Sequence, residues 1–135
     1  MTDPRQHLRL SVVTPECEVL QTEADFVVVP AHDGQIGILP GRAPLICKLG
    51  IGTLRVRFDD RGVRLFVERG FAEVLNNQVT VLTEQAVPAE QIDSSQVQSQ
   101  LEQARQMPAD SLEAVALRRE ALRHARALLH AAGDD

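Results

Sequence analysis

A small β-sandwich or flattened barrel followed by a helical hairpin is the fold the sequence predicts, and three observations point to it. Gly34, Gly37, Gly41, Gly50, Gly52, Gly62 and Gly70, with all four phenylalanines, lie before Pro88; after it run Gln, Ala, Leu, Arg and Glu with one late glycine, Gly133. The apolar period changes at the same place, from two to about 3.6. The third observation is size: 135 residues, 44% hydrophobic and 24% charged, suit one compact unit with a small appendage and exclude wholesale disorder. The expected division is a β part over 1–88 and a helical part over 89–135.

The β elements follow in order. Leu8, Leu10 and Val12 alternate with Arg9 and Ser11 until Pro15 interrupts. Phe26-Val27-Val28-Val29 is apolar on both faces, which predicts a central strand between layers. Leu54, Val56 and Phe58 alternate with Thr53, Arg55 and Arg57. A turn at Asp59-Asp60-Arg61-Gly62 is then expected, with Gly62 supplying positive φ, and Val63, Leu65 and Val67 return. Asn76-Asn77 suits the left-handed angles of a tight hairpin before Val79-Thr80-Val81-Leu82.

Two helix starts follow. Asp93 with Gln96 reads as a capping box, and Ile92 with Val97 as its hydrophobic staple, opening a helix over about 93–106. Met107-Pro108 ends it. Asp110 with Glu113 repeats the box for a helix over about 110–132, and Gly133 falls at the C-cap. Leu117, Ala121, Leu122, Ala125, Leu128, Leu129 and Ala132 share one arc of it, with Arg118 as the exception. Arg119, Arg123, Arg126 and His130 form a separate basic stripe, which is either a solvated face or a contact for an acidic partner.

Chemistry is sparse. The net charge of −5 and an aromatic content of 3% exclude the basic field and stacking platforms of nucleic-acid binders. No phosphate loop, nucleophile elbow or zinc motif occurs, so no catalytic, cofactor or metal site is expected. His32-Asp33 runs into Gly34 and reads as a polar turn. Cys17 and Cys47, each beside apolar residues, read as reduced and buried thiols. Met1 to His7 carries no apolar leader, and no stretch reaches the roughly 20 apolar residues of a membrane span, which predicts an unsecreted protein.

The segment from Asp33 to Leu45 is unusual, because three glycines and two prolines stiffen it while Ile36, Ile38, Leu39 and Leu45 keep it apolar. A stiff, greasy loop is either tucked over the core or docked on something else. Gly34-Gln35-Ile36-Gly37-Ile38-Leu39-Pro40-Gly41-Arg42-Ala43-Pro44-Leu45 resembles the G-x-x-G-x-x-P-x-H-A-P-L signature of the ATP synthase epsilon subunit family. Gly52-Thr53-Leu54-Arg55-Val56 is similar to its G-x-L-R-I strand. Gly70-Phe71-Ala72-Glu73-Val74, then Asn77, Val79-Thr80-Val81-Leu82, Glu84 and Ala86, are similar to its G-x-x-E-V…N-x-V-T-V-L-x-E-x-A run.

The resemblance implies a ten-stranded sandwich with a helical hairpin, in the central stalk of a proton- or sodium-translocating F-type ATP synthase. Such a subunit has no active site and no cofactor. It binds the gamma subunit and the c-ring, and reaches the membrane only through the complex, on the cytoplasmic face of a bacterial inner membrane or on a thylakoid. Gln35, Ile36, Gly37, Leu39, Arg42, Ala43 and Pro44 would then meet gamma and the ring. In many members the tail inhibits ATP hydrolysis, and Arg119, Arg123 and Arg126 would meet acidic groups of the beta subunit. Two positions depart from the family pattern. Arg42 stands in place of His, and the I-D-x-x-R-A motif with which some members bind ATP reads Ile92-Asp93-Ser94-Ser95-Gln96-Val97 here. Gln96 lacks the charge a phosphate favours, which argues against ATP binding by this tail. The competing reading is a stand-alone nucleotide-binding module, with the ligand held between tail and sandwich.

Overall fold

The computed structural model describes residues 6–133, so the N-terminal stretch read above from Met1 to Arg5 lies outside the described residues. Seven strands form one hydrogen-bonded sheet in the order β2-β1-β7-β6-β5-β3-β4. They are β1 (Leu8–Val13), β2 (Glu18–Ala24), β3 (Phe26–Ala31), β4 (Gly34–Ile38), β5 (Leu45–Phe58), β6 (Arg61–Leu75) and β7 (Gln78–Pro88). All pairings are antiparallel except β1 with β7. Two helices follow a short 3-10 turn at Ala89–Gln91: α1 (Ser94–Arg105) and α2 (Leu112–Gly133).

The expected ten strands are seven continuous ones, and the reason lies in the length of β5, β6 and β7. Pairing lapses at one step in each ladder, where Arg69 faces Gly50 on one side and Glu84 on the other. Arg69 has φ 58° and Gly70 φ 118°, so β6 turns sharply there. Cut at that line, the three long strands become six segments, and with the four short ones they make ten. Gly70 is required at the bend for two reasons. Its φ lies in the left-handed region, and a Cβ on it would fall 1.9 Å from the Leu82 carbonyl oxygen. The Thr83 hydroxyl mends the lapse, accepting the Glu68 N–H at 3.2 Å and lying 2.9 Å from the Glu68 carbonyl.

The bend folds the sheet around one core of Leu8, Leu10, Val12, Val27, Val29, Ile38, Leu54, Leu65, Val67, Val74, Val79 and Val81. Period-two alternation puts these side chains inward from every strand. Strand β3 corrects one expectation. It lies second from an edge, and only Val27 and Val29 enter the core, while Phe26 and Val28 stay half-buried on the outside. The hairpin turn after Phe58 corrects another. Asp59 takes the positive φ (54°) that Gly62 was expected to take, with its N–H held by Asp25 Oδ2 at 2.8 Å. Asn76 and Asn77, at φ 50° and 63°, make the expected left-handed hairpin.

In the tail, Asp93 caps α1 by accepting from the backbone N–H of Ser95 and Gln96. The staple residues Ile92 and Val97 meet in one cluster beneath α2. Helix α2 starts one residue later than the expected box allows: Ser111 Oγ accepts from the Ala114 N–H at 3.0 Å, and Asp110 does not cap. A hydroxyl one residue nearer the helix displaces the carboxylate. Gly133 is the last residue of α2 and has no left-handed φ. The helices run antiparallel, with Arg105 meeting Arg118 at one end and Val97 sharing a cluster with Leu128 and Ala131 at the other. The exceptional Arg118 donates from Nε and Nη2 to the Arg105 carbonyl, at 3.3 and 3.2 Å, closing the end of α1. Leu117, expected on the packing arc, is 65% exposed. The buried face centres instead on Leu122, Ala125 and Leu128, so Leu117 is left at its margin.

Candidate partner-docking surfaces

Strand alternation generates two outer faces on a bent sheet, and their treatment differs. On one face Phe66, fully buried, anchors a cluster with Val97, Leu128 and Ala131, flanked by Ile51, Val87 and Ile92. Helix α2 therefore lies across this face. Beside the cluster, the Phe66 and His124 rings meet edge-on at 5.4 Å, and His124 Nε2 stands 3.1 Å from Glu68 Oε1. The bend contributes the rest. Arg69, carried outward by its left-handed backbone, pairs with Glu68, Glu84 and Glu120, and only Glu120 belongs to the tail. Residues 68 and 69 of the bend thus bind two residues of α2, one turn apart.

The other outer face carries no cover. Phe71 (54% exposed) faces Leu82 (52%) across β6 and β7, with Ile46 (69%) on β5 and Leu75 (47%) at the strand end. Lys48, Glu73 and Thr80 are interleaved on it by register. An apolar row on an open sheet face is the signature of an interaction surface. Sequence reasoning passed over these residues. The available signal was that Phe71 and Leu75 fall out of phase with the inward pair Ala72 and Val74.

At the end of that face lies the segment singled out in the sequence. Its first half is strand rather than loop: Gly34–Ile38 pairs with β3, with Ile36 opposite Val29 and Ile38 opposite Val27. The glycines hide a regular alternation, Gln35 and Gly37 outward and Ile36 and Ile38 inward. The irregular half runs from Leu39 to Pro44. Leu39 is 58% exposed, and Arg42, Ala43 and Pro44 are exposed. Gly41, at φ 86°, donates its N–H to Asn77 Oδ1 at 2.7 Å, and the Arg42 N–H reaches the Leu39 carbonyl at 3.2 Å. The loop is thereby tied to the β6–β7 turn, which places Leu39 beside the uncovered face. Gln35, Ile36 and Gly37 lie on the adjoining edge strand.

The basic stripe is exposed along its length, and Arg119, Arg123 and Arg126 line one shallow groove of about 480 Å³ with Val115, Arg118 and Leu122. Among the described residues no carboxylate pairs with these three arginines. None of the loop residues 35–44 lines that groove, so the two candidate surfaces are separate. Arg123 also borders a second cleft, with His32, Lys48, Arg69 and Glu120.

Reactive groups are placed as follows. His32 and Asp33 form the exposed β3–β4 turn. Both cysteines are free; Cys17 is exposed, against expectation, because it lies in the turn between β1 and β2 rather than inside a strand, and Cys47 is half-buried, with burial pushing its thiol up. Among the described residues no group of three His, Cys, Asp or Glu side chains gathers, and no helix is long and apolar enough to cross a membrane.

Residues 7–89 match the β-sandwich domain of the ATP synthase delta/epsilon chain. The chain is 41% identical over 124 residues, 92% of its length, to the ATP synthase epsilon chain of Rhodopirellula baltica, of which it covers 97%. It is 44% identical over 98 residues, 73% of its length and 74% of the relative's, to that of Desulforamulus reducens. Two solved assemblies contain chains of the same fold. One is the mitochondrial ATP synthase of Euglena gracilis, resolved with its OSCP, F1 and c-ring: TM-score 0.85, 23% identity, 94% of this chain and 82% of that one. The other is the central stalk and c-ring of the Tetrahymena thermophila mitochondrial ATP synthase: TM-score 0.67, 16% identity, 94% and 97%.

Proposed function

The chain belongs to the ATP synthase epsilon chain family, and we propose that it serves as the non-catalytic central-stalk subunit of a proton- or sodium-translocating F-type ATP synthase, coupling c-ring rotation to ATP synthesis. The β part, 1–88, clamps the gamma subunit and the c-ring. The helical part, 89–135, is a regulator. Attachment is peripheral, on the cytoplasmic face of a bacterial inner membrane.

The observation that carries this reading is the exposed apolar row of Leu75, Ile46, Phe71 and Leu82 on one face, bordered by the Leu39–Pro44 loop that hydrogen bonds of Gly41 and Arg42 hold in shape. A preformed apolar surface loses little entropy on docking, which suits a part that must transmit torque without yielding. Gamma covers the open face; Gln35, Ile36, Gly37, Arg42, Ala43 and Pro44 reach the ring. Arg119, Arg123 and Arg126, exposed and without carboxylate partners among the described residues, meet acidic groups of the beta subunit when the tail leaves the sandwich.

Co-purification from native membranes tests the stalk role: gamma and c-ring should accompany the chain, and their absence would remove it. The regulatory role is tested on the assembled complex. Replacing Arg119, Arg123 and Arg126 by Ala should raise ATP hydrolysis; unchanged hydrolysis with normal assembly returns the stripe to a solvated face.

A further inference from the structure

The outer face that α2 covers does not end where the tail ends. In register, it continues from Phe66 to Arg64 on β6, to Arg55 and Arg57 on β5, and to Phe26 and Val28 on β3. There it opens into a groove of about 290 Å³ whose apolar lining is Phe26, Val28 and Val63, and whose polar lining is Arg55, Arg57 and Arg64. Gly62 stands opposite Arg57, and a Cβ on it would meet only the Val56 carbonyl oxygen, at 3.9 Å. Nothing in the packing requires glycine there; its missing side chain keeps the groove open.

One atom is out of place in a self-sufficient surface. Arg64 Nη1 is buried and has no hydrogen-bond partner. Buried donors are almost always satisfied; the rest of the Arg64 side chain is half-buried and lines the groove. Among the described residues no carboxylate forms an ion pair with Arg57 or Arg64. The groove therefore combines two guanidinium groups without carboxylate partners among the described residues, Arg57 and Arg64, an orphaned donor and an apolar floor, on a chain whose net charge is −5.

We propose that this groove binds a small organic anion, a carboxylate or phosphate joined to a compact apolar body. The head accepts from the Arg64 guanidinium with Arg57 beside it, and the body lies on Phe26 and Val28. A volume at the lower end of the ligand-pocket range limits the guest to about the size of a substituted benzene. The site shares no residue with the uncovered face or the Leu39–Pro44 loop, so it stands or falls independently of the stalk role.

The test is a titration of the full chain with benzoate, phenyl phosphate, inorganic phosphate and benzyl alcohol, followed by NMR at Phe26, Val28, Val63 and Arg64. Saturable shifts confined to these residues are expected with benzoate or phenyl phosphate, and the tighter of the two identifies the preferred head. Inorganic phosphate and benzyl alcohol, each lacking half the ligand, should bind far more weakly. Arg64→Met should weaken binding by roughly tenfold or more. Gly62→Leu should abolish it by filling the groove while leaving every arginine in place, and it carries the test if Arg64→Met does not fold. The proposal is overturned by the absence of saturable shifts, by undiminished binding in both variants, or by inorganic phosphate binding as tightly as phenyl phosphate. Binding of an acidic peptide alone, with no small acid bound, would overturn it in favour of a protein partner.

Discussion

The two outer faces of the sandwich carry similar apolar side chains and have different fates. Phe66 is fully buried beneath the tail, while Phe71, five residues on in the same strand, is 54% exposed. The step between them crosses the bend at Arg69 and Gly70. An uninterrupted strand would put Phe71 on the core side with Leu65 and Val67; the bend shifts the phase of the alternation, so that Ala72 and Val74 point inward and Phe71 stands outside on the other half of the sheet. One face is covered by the chain's own helices and the other stands open to solvent. A cover made by the same chain is reversible in principle. This one rests on a handful of side chains around Phe66 and on pairs between the bend and α2.

The bend is where the comparison breaks most completely. Gly70→Ala forces a Cβ into the Leu82 carbonyl and an L side chain into φ 118°. A loss on the order of 5 kcal/mol is expected, enough to unfold most of a domain this size, and chemical denaturation measures it. Phe66→Ala should be milder and local, about 3 kcal/mol. Amide hydrogen exchange should rise across residues 94–133 while Leu10 and Val81 stay protected; uniform exchange would show that tail and sandwich form one cooperative unit.

Smaller changes sharpen the same contrast. Glu120→Gln removes the tail's carboxylate from Arg69, both about half exposed, and should loosen α2 by no more than about 1 kcal/mol, less at high salt. Asp25 tests the sandwich alone. The Asp59 N–H, with His7 as a second partner, holds its carboxyl below the usual carboxylate range. The folded state then binds fewer protons than the unfolded one in mild acid. Its contribution is present above the unfolded carboxylate pKa and fades as pH falls through the lower folded value. The stability gap between the protein and Asp25→Asn should therefore close in acid, as urea titrations at several pH values would record. Phe71→Ser should change stability by within about 0.5 kcal/mol, because the side chain already stands in solvent.

What the sequence disclosed, and what it hid, follow the same line. Alternation in β1 and the two asparagines of the β6–β7 turn are local signals, and both were legible. Asp59 and Gly62 exchanged roles because the deciding hydrogen bond comes from Asp25, 34 residues away. Strand β4 was hidden because Gly34 and Gly37 erase the alternation that Ile36 and Ile38 mark. Within the candidate surfaces, the Leu39–Pro44 loop could be singled out from its glycine, proline and apolar content, and the arginine stripe from its helical spacing. The Phe71–Leu82 pair was passed over, since its phase against Ala72 and Val74 marks it as outward only once the bend shows which pair points inward. Arg69 was missed for the same reason: its partners are gathered by three elements.

The central claim is that the uncovered face is a binding surface for the gamma subunit. Affinity for purified cognate gamma, measured with the full chain and with the Phe71→Ser/Leu82→Ser variant at matched stability, tests it most directly. The expected result is binding by the unaltered chain and at least a roughly thirtyfold weakening in the variant, as for loss of two central apolar anchors. Equal affinity in the two proteins would contradict the claim.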